Sequence, residues 1–236
     1  MIAPRRSGPA LAVQGGALSQ ACRAAPFPTP PKDTLNAPSN PSESPQPDAA
    51  RLIADSHPQA RQVLDYWFTQ LTPKDWFRKS DALDGQLRER FAARLEQALA
   101  CELWEWRASV GGRLAEILLL DQFARNIHRD TPRAFSGDNL ALALSQQAVA
   151  LGDLDHLPLA WQPFAIMPWM HSESLRIHEH AEQLFARPGL EHTLRYEHLH
   201  ADIVRRFGRY PHRNAILGRE STPEEIAFLG QPGSSF

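Results

Sequence analysis

From about Pro58 onward, apolar residues recur at the spacing of amphipathic α-helices. The longest such face consists of five bulky residues spaced four positions apart: Leu83, Leu87, Phe91, Leu95 and Leu99. This spacing predicts a single helix, for which Ser80 or Asp81 is a suitable N-cap. The chain has no alternating run long enough for a convincing strand. The pattern therefore predicts an all-α fold of about seven to nine helices, and the short connections imply mostly antiparallel neighbours.

Other helix ends are signalled by glycine, proline and capping residues. Gly111-Gly112 is expected to break the chain before a helix over about residues 113–128. A further helix, Glu191–Phe207, is expected to end at Gly208, which can adopt a positive φ. Thr222-Pro223-Glu224-Glu225 has the residues of a capping box with proline at the first helical position. The last feature predicts one more helix near the end of the chain.

Composition divides the chain into two parts. Half of its 20 prolines lie in the first 50 residues, whereas all six tryptophans come later. A proline-, glycine- and serine-rich segment buries too little apolar surface to offset the entropy lost on ordering. We therefore expect residues 1–57 to form a disordered arm and residues 58–236 to form a single helical domain.

Several functional classes are disfavoured. The formal net charge of −2 disfavours nucleic acid as a partner. No apolar stretch is long enough for a membrane span, so a cytoplasmic protein is expected. Two cysteines are too few for a cysteine-based zinc site, and a second Glu-x-x-His pair for a di-iron site is missing. No phosphate-binding glycine loop, dinucleotide fingerprint or Gly-x-Ser-x-Gly occurs, so neither a cofactor nor a metal is expected.

Ionisable residues occur where helices should be apolar. On a helical wheel, Asp121 and Arg125 fall in the sector of Leu114, Ile117 and Leu118. A buried carboxylate and guanidinium need partners, because an unpaired buried charge is very costly. The two residues form either an intrahelical pair that joins the core or one wall of a polar pocket.

The helix predicted at Glu191–Phe207 shows the same feature. Its predicted apolar stripe consists of Tyr196, Leu199, Ile203 and Phe207. His200 falls within this stripe, either as a core histidine with satisfied hydrogen bonds or as a functional group.

Two loops add further candidates. His171 and Glu173 follow a tryptophan-rich apolar run, and Ser172 with Glu173 is suited to capping a helix. Near the C-terminus, a short segment carries five polar candidates: Arg209, His212, Arg213, Asn214 and Arg219. Arginine forks suit carboxylates or phosphates. Their partner is either internal (Asp121, Glu173 or Asp202) or a bound anion.

These segments also carry a resemblance to a known family. Leu118 to Phe135 (LLLDQFARNIHRDTPRAF), Met170 to Glu173 (MHSE) and Arg206 to Glu225 (RFGRYPHRNAILGRESTPEE) closely resemble the mostly bacterial domain of unknown function 924. Val63 to Phe68 (VLDYWF) and Trp76-Phe77 resemble that family's opening motif. The resemblance covers about residues 60–236. It implies a compact helical domain with tetratricopeptide-like packing, and it implies no activity.

The leading hypothesis is a protein whose polar pocket binds a small anionic ligand, with acid–base catalysis as an extension of that role. The candidate proton-transfer residues are His200, His171, His212, Asp121 and Glu173. The candidate ligand-binding residues are Arg125, Asn126, Arg209, Arg213, Asn214 and Arg219. The alternative is a tetratricopeptide-like module that binds a protein or peptide, in which these residues brace the helices.

Overall fold

The computed structural model describes residues 47–234, and every regular element in that range is helical. The α-helices are α1 (Ala49–Ala54), α2 (Pro58–Asp65), α3 (Pro73–Trp76), α4 (Asp81–Leu99), α5 (Val110–Leu118), α6 (Ala124–Ile127), α7 (Asp138–Ala150), α8 (Gln162–Met170), α9 (Leu175–Phe185), α10 (Glu191–Phe207), α11 (Asn214–Leu217) and α12 (Pro223–Leu229). Some are continuous with π-helical or 3₁₀ turns. When such segments are joined, nine helices of the described range have seven or more residues. The all-α fold and the predicted number of helices are confirmed.

Two π-helical turns interrupt the α-helical geometry. One, Tyr66–Gln70, continues α2, and the other, Leu119–Phe123, connects α5 directly to α6. Four 3₁₀ turns complete the helical elements of the described range: Trp104–Ala108, Pro132–Phe135, Asp153–His156 and Pro211–Arg213.

The main core lies between α2, α4, α5, α7 and α8. Its aromatic centre includes Trp67, whose ring centroid is 5.3 Å from that of Phe123 and 5.8 Å from that of Phe164. Burying one such side chain contributes about 1.5–3 kcal/mol relative to leaving it exposed. A smaller cluster of Ile203, Val204 and Tyr210 lies under the C-terminal segment.

Helix α1 falls within the stretch that the sequence assigned to the arm. The expectation for residues 1–46 lies outside the described residues, but residues 49–54 are helical and the chain turns at Ser56 to enter α2. Ser56 Oγ donates to the Leu52 carbonyl at 2.7 Å. A Cβ on Gly111 would lie 2.2 Å from that hydroxyl oxygen, so glycine is needed for this corner to approach α5. The described helical structure thus begins before the expected boundary at residue 58.

Most predicted helix ends agree with the structure. Ser80 accepts a hydrogen bond from the Leu83 amide at the start of α4, and both halves of the capping box at Thr222 are formed. The predicted break at Gly111-Gly112 is wrong, because α5 begins at Val110 with Ser109 as its cap. Both glycines lie inside the first turn, where the chain packs too closely for larger side chains.

The predicted bounds of α10 are confirmed, and Gly208 follows it with a φ of 70°. Its predicted buried face is confirmed at His200 and Ile203 but wrong at Tyr196 and Leu199, which are 44% and 52% exposed, whereas Glu197 is buried. A helix with a buried carboxylate needs polar partners on that face, and His178 on α9 supplies one to Glu197. Among residues 47–234, no helix is long and apolar enough to cross a membrane.

Candidate functional site

The π-helical turn between α5 and α6 presents Asp121 to the end of α8. A π turn carries an extra residue and is frequently found at functional sites. The Asp121 side chain is 1% exposed, and its Oδ1 lies 2.6 Å from Nδ1 of His171, the residue that follows α8. His171 retains 15% side-chain exposure. A buried carboxylate thus orients an imidazole that still reaches the surface.

Hydrogen-bond chemistry fixes where the proton of this pair resides. Burial opposes ionisation of Asp121, but His171, Arg125 and Gln122 together hold its pKa well below the usual range. An ionised carboxylate only accepts hydrogen bonds, so His171 carries a hydrogen on Nδ1. Burial, reinforced by Arg125, lowers the pKa of His171, so its ring is neutral at pH 7. Nε2 is therefore the basic nitrogen.

Two guanidinium groups flank this pair and share one carboxylate. Arg125 Nη1 lies 3.2 Å from Asp121 Oδ1, and the same guanidinium contacts Asp138 at 2.8 and 3.1 Å. Arg213 Nη1 donates to Asp138 Oδ2 at 3.2 Å, and its Nη2 donates to the His171 carbonyl at 3.0 Å. Arg213 comes from the loop after α10, so it ties that loop to the end of α8.

Arg213 makes cation–π contacts with two aromatic rings. Its guanidinium carbon lies 4.7 Å from the Phe135 ring centroid and 4.6 Å from that of Tyr210. Arg213 Nε is buried and has no hydrogen-bond partner among residues 47–234. A buried donor without an acceptor costs about 1–3 kcal/mol. This guanidinium therefore retains a donor in need of an acceptor.

Tyr210 lies at the centre of the histidine cluster. Its ring centroid is 5.7 Å from His200 and 5.5 Å from His212, and the His200 ring is 6.4 Å from that of His171. His200 Nδ1 donates to the Tyr196 carbonyl at 2.7 Å, and burial lowers its pKa to about 3. Burial, reinforced by Arg213, lowers the pKa of His212 to about 4. The three histidines are therefore neutral at pH 7.

A second buried histidine–carboxylate pair lies behind Tyr210. His178 Nδ1 is 2.6 Å from Glu197 Oε1, and both side chains are fully buried. His178 Nε2 lies 2.9 Å from the Ser172 carbonyl and 3.2 Å from the Tyr210 hydroxyl. Because the carbonyl only accepts, Nε2 carries a hydrogen. Burial raises the pKa of the Glu197 carboxyl, against the lowering effect of the hydrogen bond with His178.

Two of the predicted ligand-binding arginines pair with carboxylates at the edge of the cluster. Arg219 makes two hydrogen bonds to Glu173, at 2.7 and 2.8 Å, and Glu173 also accepts the Tyr210 amide at 2.8 Å. Arg209 makes a similar fork to Glu225, at 2.7 and 2.8 Å. These contacts fasten the C-terminal segment to its neighbours.

The two candidate asparagines lie apart from the histidines in the hydrogen-bond network. Asn126 donates to Asp84 Oδ1 at 2.8 Å, and Asp84 belongs to α4. Asn214 is fully buried and donates to Ser221 Oγ at 3.0 Å. Both contacts join segments that are distant in sequence or lie at a loop, as expected of structural residues.

The structure brings six of the predicted residues together: Asp121, Arg125, His171, His200, His212 and Arg213. Asp138, Tyr210, His178 and Glu197 were missed as site members. Tyr210 lies within the Arg206–Glu225 motif. Glu197 lies outside the apolar stripe predicted for α10, so the sequence placed it on the exposed side of that helix. Asp138, at the start of α7, has no comparable signal. No three His, Cys, Asp or Glu side chains in the described range are placed to hold one metal ion.

Comparison with known proteins adds a family and a fold. The family model described as "Bacterial protein of unknown function (DUF924)" matches residues 63–233. A solved structure of a protein of unknown function from Agrobacterium tumefaciens is similar, with 35% identity and a TM-score of 0.69. The match covers 78% of this chain and 99% of the other. The search of curated proteins found no match.

Proposed function

This chain belongs to the DUF924 family of bacterial proteins of unknown function, and we propose that it binds a small anionic ligand beside His171 and exchanges a proton with it. One observation carries the proposal. Asp121 is buried and holds His171 Nδ1 at 2.6 Å, while the imidazole keeps 15% of its surface exposed. A carboxylate that fixes the tautomer and orientation of a histidine is a recurrent arrangement for general acid–base groups.

The electrostatics suit His171 as the base. Its pKa lies below the usual value, so the ring is unprotonated at pH 7 and able to accept a proton at Nε2. Once protonated, the imidazolium is stabilised by the Asp121 carboxylate beside it. The pair thus has a proton acceptor and a means of stabilising the charge that develops.

Two arginines beside His171 favour an anionic ligand. Arg125 is 20% exposed beside His171, and Arg213 carries a buried Nε donor that lacks an acceptor in the described range. A guanidinium has five N–H donors and no acceptor, so the group it lacks is an oxygen acceptor such as a carboxylate or phosphate. His200 and His212, both neutral, contribute uncharged polar edges around it.

Ligand-dependent thermal stabilisation tests the proposal. The full chain is screened against inorganic phosphate, phosphorylated sugars and short mono- and dicarboxylates. A ligand that binds only the folded chain raises the free energy of unfolding by RT ln(1 + [L]/Kd), and this raises the melting temperature. We expect at least one anion to stabilise the wild type, and the shift to disappear in His171→Gln and Arg125→Met.

The matched control is His156→Gln, because His156 is an exposed histidine on a separate 3₁₀ turn. It should respond to the anion as the wild type does. In NMR titrations, the pKa of His171 should rise when the anion binds. An anion that stabilises His171→Gln as strongly as the wild type would show that the ligand sits elsewhere.

A second function, the tetratricopeptide-like interaction module, is favoured by a different observation. Several candidate residues have internal partners that brace separate segments: Asn126 with Asp84, Arg209 with Glu225 and Arg219 with Glu173. On that hypothesis, Arg209→Ala and Arg219→Ala should lower the melting temperature, and no small anion should bind. A shared loss of anion binding and unchanged stability in these variants would reject the brace hypothesis.

A further inference from the structure

A groove runs between α9 and α10, and its lining includes His178 and Glu197, the buried pair that lies behind Tyr210. Its volume is about 340 Å³, and it is lined by turns of both helices, from Leu175 to Glu182 and from Glu197 to Arg205. This volume is at the lower end of the range of about 300–1,000 Å³ for small-molecule sites. A small ligand of a few carbon atoms is the appropriate size for it.

Glu197 lies at the floor of this groove with one oxygen unused. Its Oε1 is 2.6 Å from His178 Nδ1. Its Oε2 is buried and has no hydrogen-bond partner among residues 47–234. An unsatisfied carboxylate oxygen calls for an N–H or O–H donor, and leaving it without one is costly. Because Glu197 lines the groove, a ligand that enters the groove is one source of such a donor.

The charges around Glu197 select a cationic donor. Three more acids line the groove, namely Glu179, Glu182 and Asp202, against a single guanidinium, that of Arg205. Arg205 is already paired with Asp202. His198 spans the groove to Glu182 at 3.3 Å, but both side chains are more than half exposed. Exposed pairs of this kind contribute little and are easily displaced.

We propose that this groove binds a small molecule carrying a protonated alkylamine, whose ammonium donates to Glu197 Oε2. The aliphatic part lies along Leu175 and Ala201, and a second amine, where present, meets the carboxylates of the rim. This site is separate from the anion proposed beside His171, so either can fail without the other. It is connected to that site through His178, which touches both Glu197 and Tyr210.

Calorimetric titration of the full chain with diaminobutane tests the proposal, with butanediol as the uncharged analogue. We expect saturable one-to-one binding of the diamine and none of the diol. Glu197→Gln removes the charged acceptor and should weaken binding about tenfold or more. Glu182→Gln, at the exposed rim, should weaken it less. The matched control, Glu89→Gln on α4, changes an exposed acid outside the groove and should leave the affinity unchanged.

Several results would overturn the inference: no saturable binding of the diamine, equal binding of the diol, or unchanged affinity in Glu197→Gln. If circular dichroism shows that Glu197→Gln is unfolded, the site is tested by NMR on the wild type instead. In its amide NMR spectrum, diaminobutane must shift residues of α9 and α10 that line the groove. Shifts confined to other helices reject the site.

Discussion

Replacing Asn126 by alanine should destabilise the fold and leave the anion affinity intact. Asn126 is 8% exposed on α6, and its Nδ2 donates to Asp84 Oδ1 on α4 at 2.8 Å. Arg129 completes the same carboxylate with bonds of 2.5 and 2.9 Å. The substitution removes one of three hydrogen bonds from a buried, charged acceptor, in a contact that spans 42 positions of sequence.

The size of the stability loss depends on the hydrogen bonds that Asp84 keeps in the variant. A hydrogen bond to a charged group contributes about 1.5–3 kcal/mol. Asp84 keeps its fork to Arg129, so the loss should fall in the lower part of that range, about 1.5–2 kcal/mol. For a domain of this size, about 2–4 °C per kcal/mol corresponds to a fall in melting temperature of about 3–8 °C.

Acid should reduce the difference between wild type and variant. Burial raises the pKa of Asp84, but the bonds from Arg129 and Asn126 outweigh it and lower the pKa below the usual value. A lowered carboxyl pKa gives stability that is present above the unfolded value, near about 3.9, and is lost as the pH falls through the folded value. The difference in stability between the wild type and Asn126→Ala should therefore decrease as the pH falls below about 3.9.

Urea unfolding at neutral pH, followed by circular dichroism, measures the effect as a lower midpoint at constant slope. The control is Asn139→Ala, an exposed asparagine near the start of α7, which should change stability by less than about 0.5 kcal/mol. If Asn126→Ala changes the free energy of unfolding no more than the control does, the hydrogen bond to Asp84 does not stabilise the fold. If it abolishes anion binding without loss of stability, Asn126 belongs to the ligand site.

Three further predictions concern the C-terminal capping box and two glycines. Bonds from Arg209 and from the Thr222 amide hold the pKa of Glu225 at about 2 instead of 4.5. The stabilisation that the ionised Glu225 carboxylate provides should be complete above pH 4.5 and lost as the pH falls towards 2. In a plot of melting temperature against pH, Glu225→Gln should therefore show a smaller decrease over this range than the wild type. Gly112→Ala should unfold the start of α5 in urea titrations, because its Cβ would lie 1.9 Å from the Trp106 carbonyl oxygen. Gly85→Ala, with no atom within 4 Å, should instead gain about 1 kcal/mol from helix propensity.

Helix ends were predictable because the signals are local. Ser80, Gly208 and the Thr222 capping box act within a few residues of their own backbone, and each operates in the structure as the sequence indicates. Gly111-Gly112 was misjudged because the same residue type also serves close packing. Only the neighbours of a glycine, here Ser56 and Trp106, decide between a break and a contact.

The buried face of α10 was not predictable from its own pattern. Tyr196 and Leu199 are apolar enough for a core, yet they are exposed, while Glu197 is fully buried. Burial of that carboxylate is tolerable because His178 on α9 supplies a hydrogen-bond partner. The hydrophobic pattern of one helix contains no information about a polar partner on another.

The sequence by itself determined the all-α fold, the ends of the capped helices and the presence of ionisable residues at core positions, since all of these depend on residues close together in the chain. Tertiary structure alone decided which of those residues meet. The contact of Asp121 with His171 spans 50 positions, and that of Asp138 with Arg213 spans 75. The π turn at Asp121 also departs from the uniform rotation that a helical wheel assumes. Pairings over such distances depend on how the helices pack, and this is why the sequence indicated the polar residues but not the site they form.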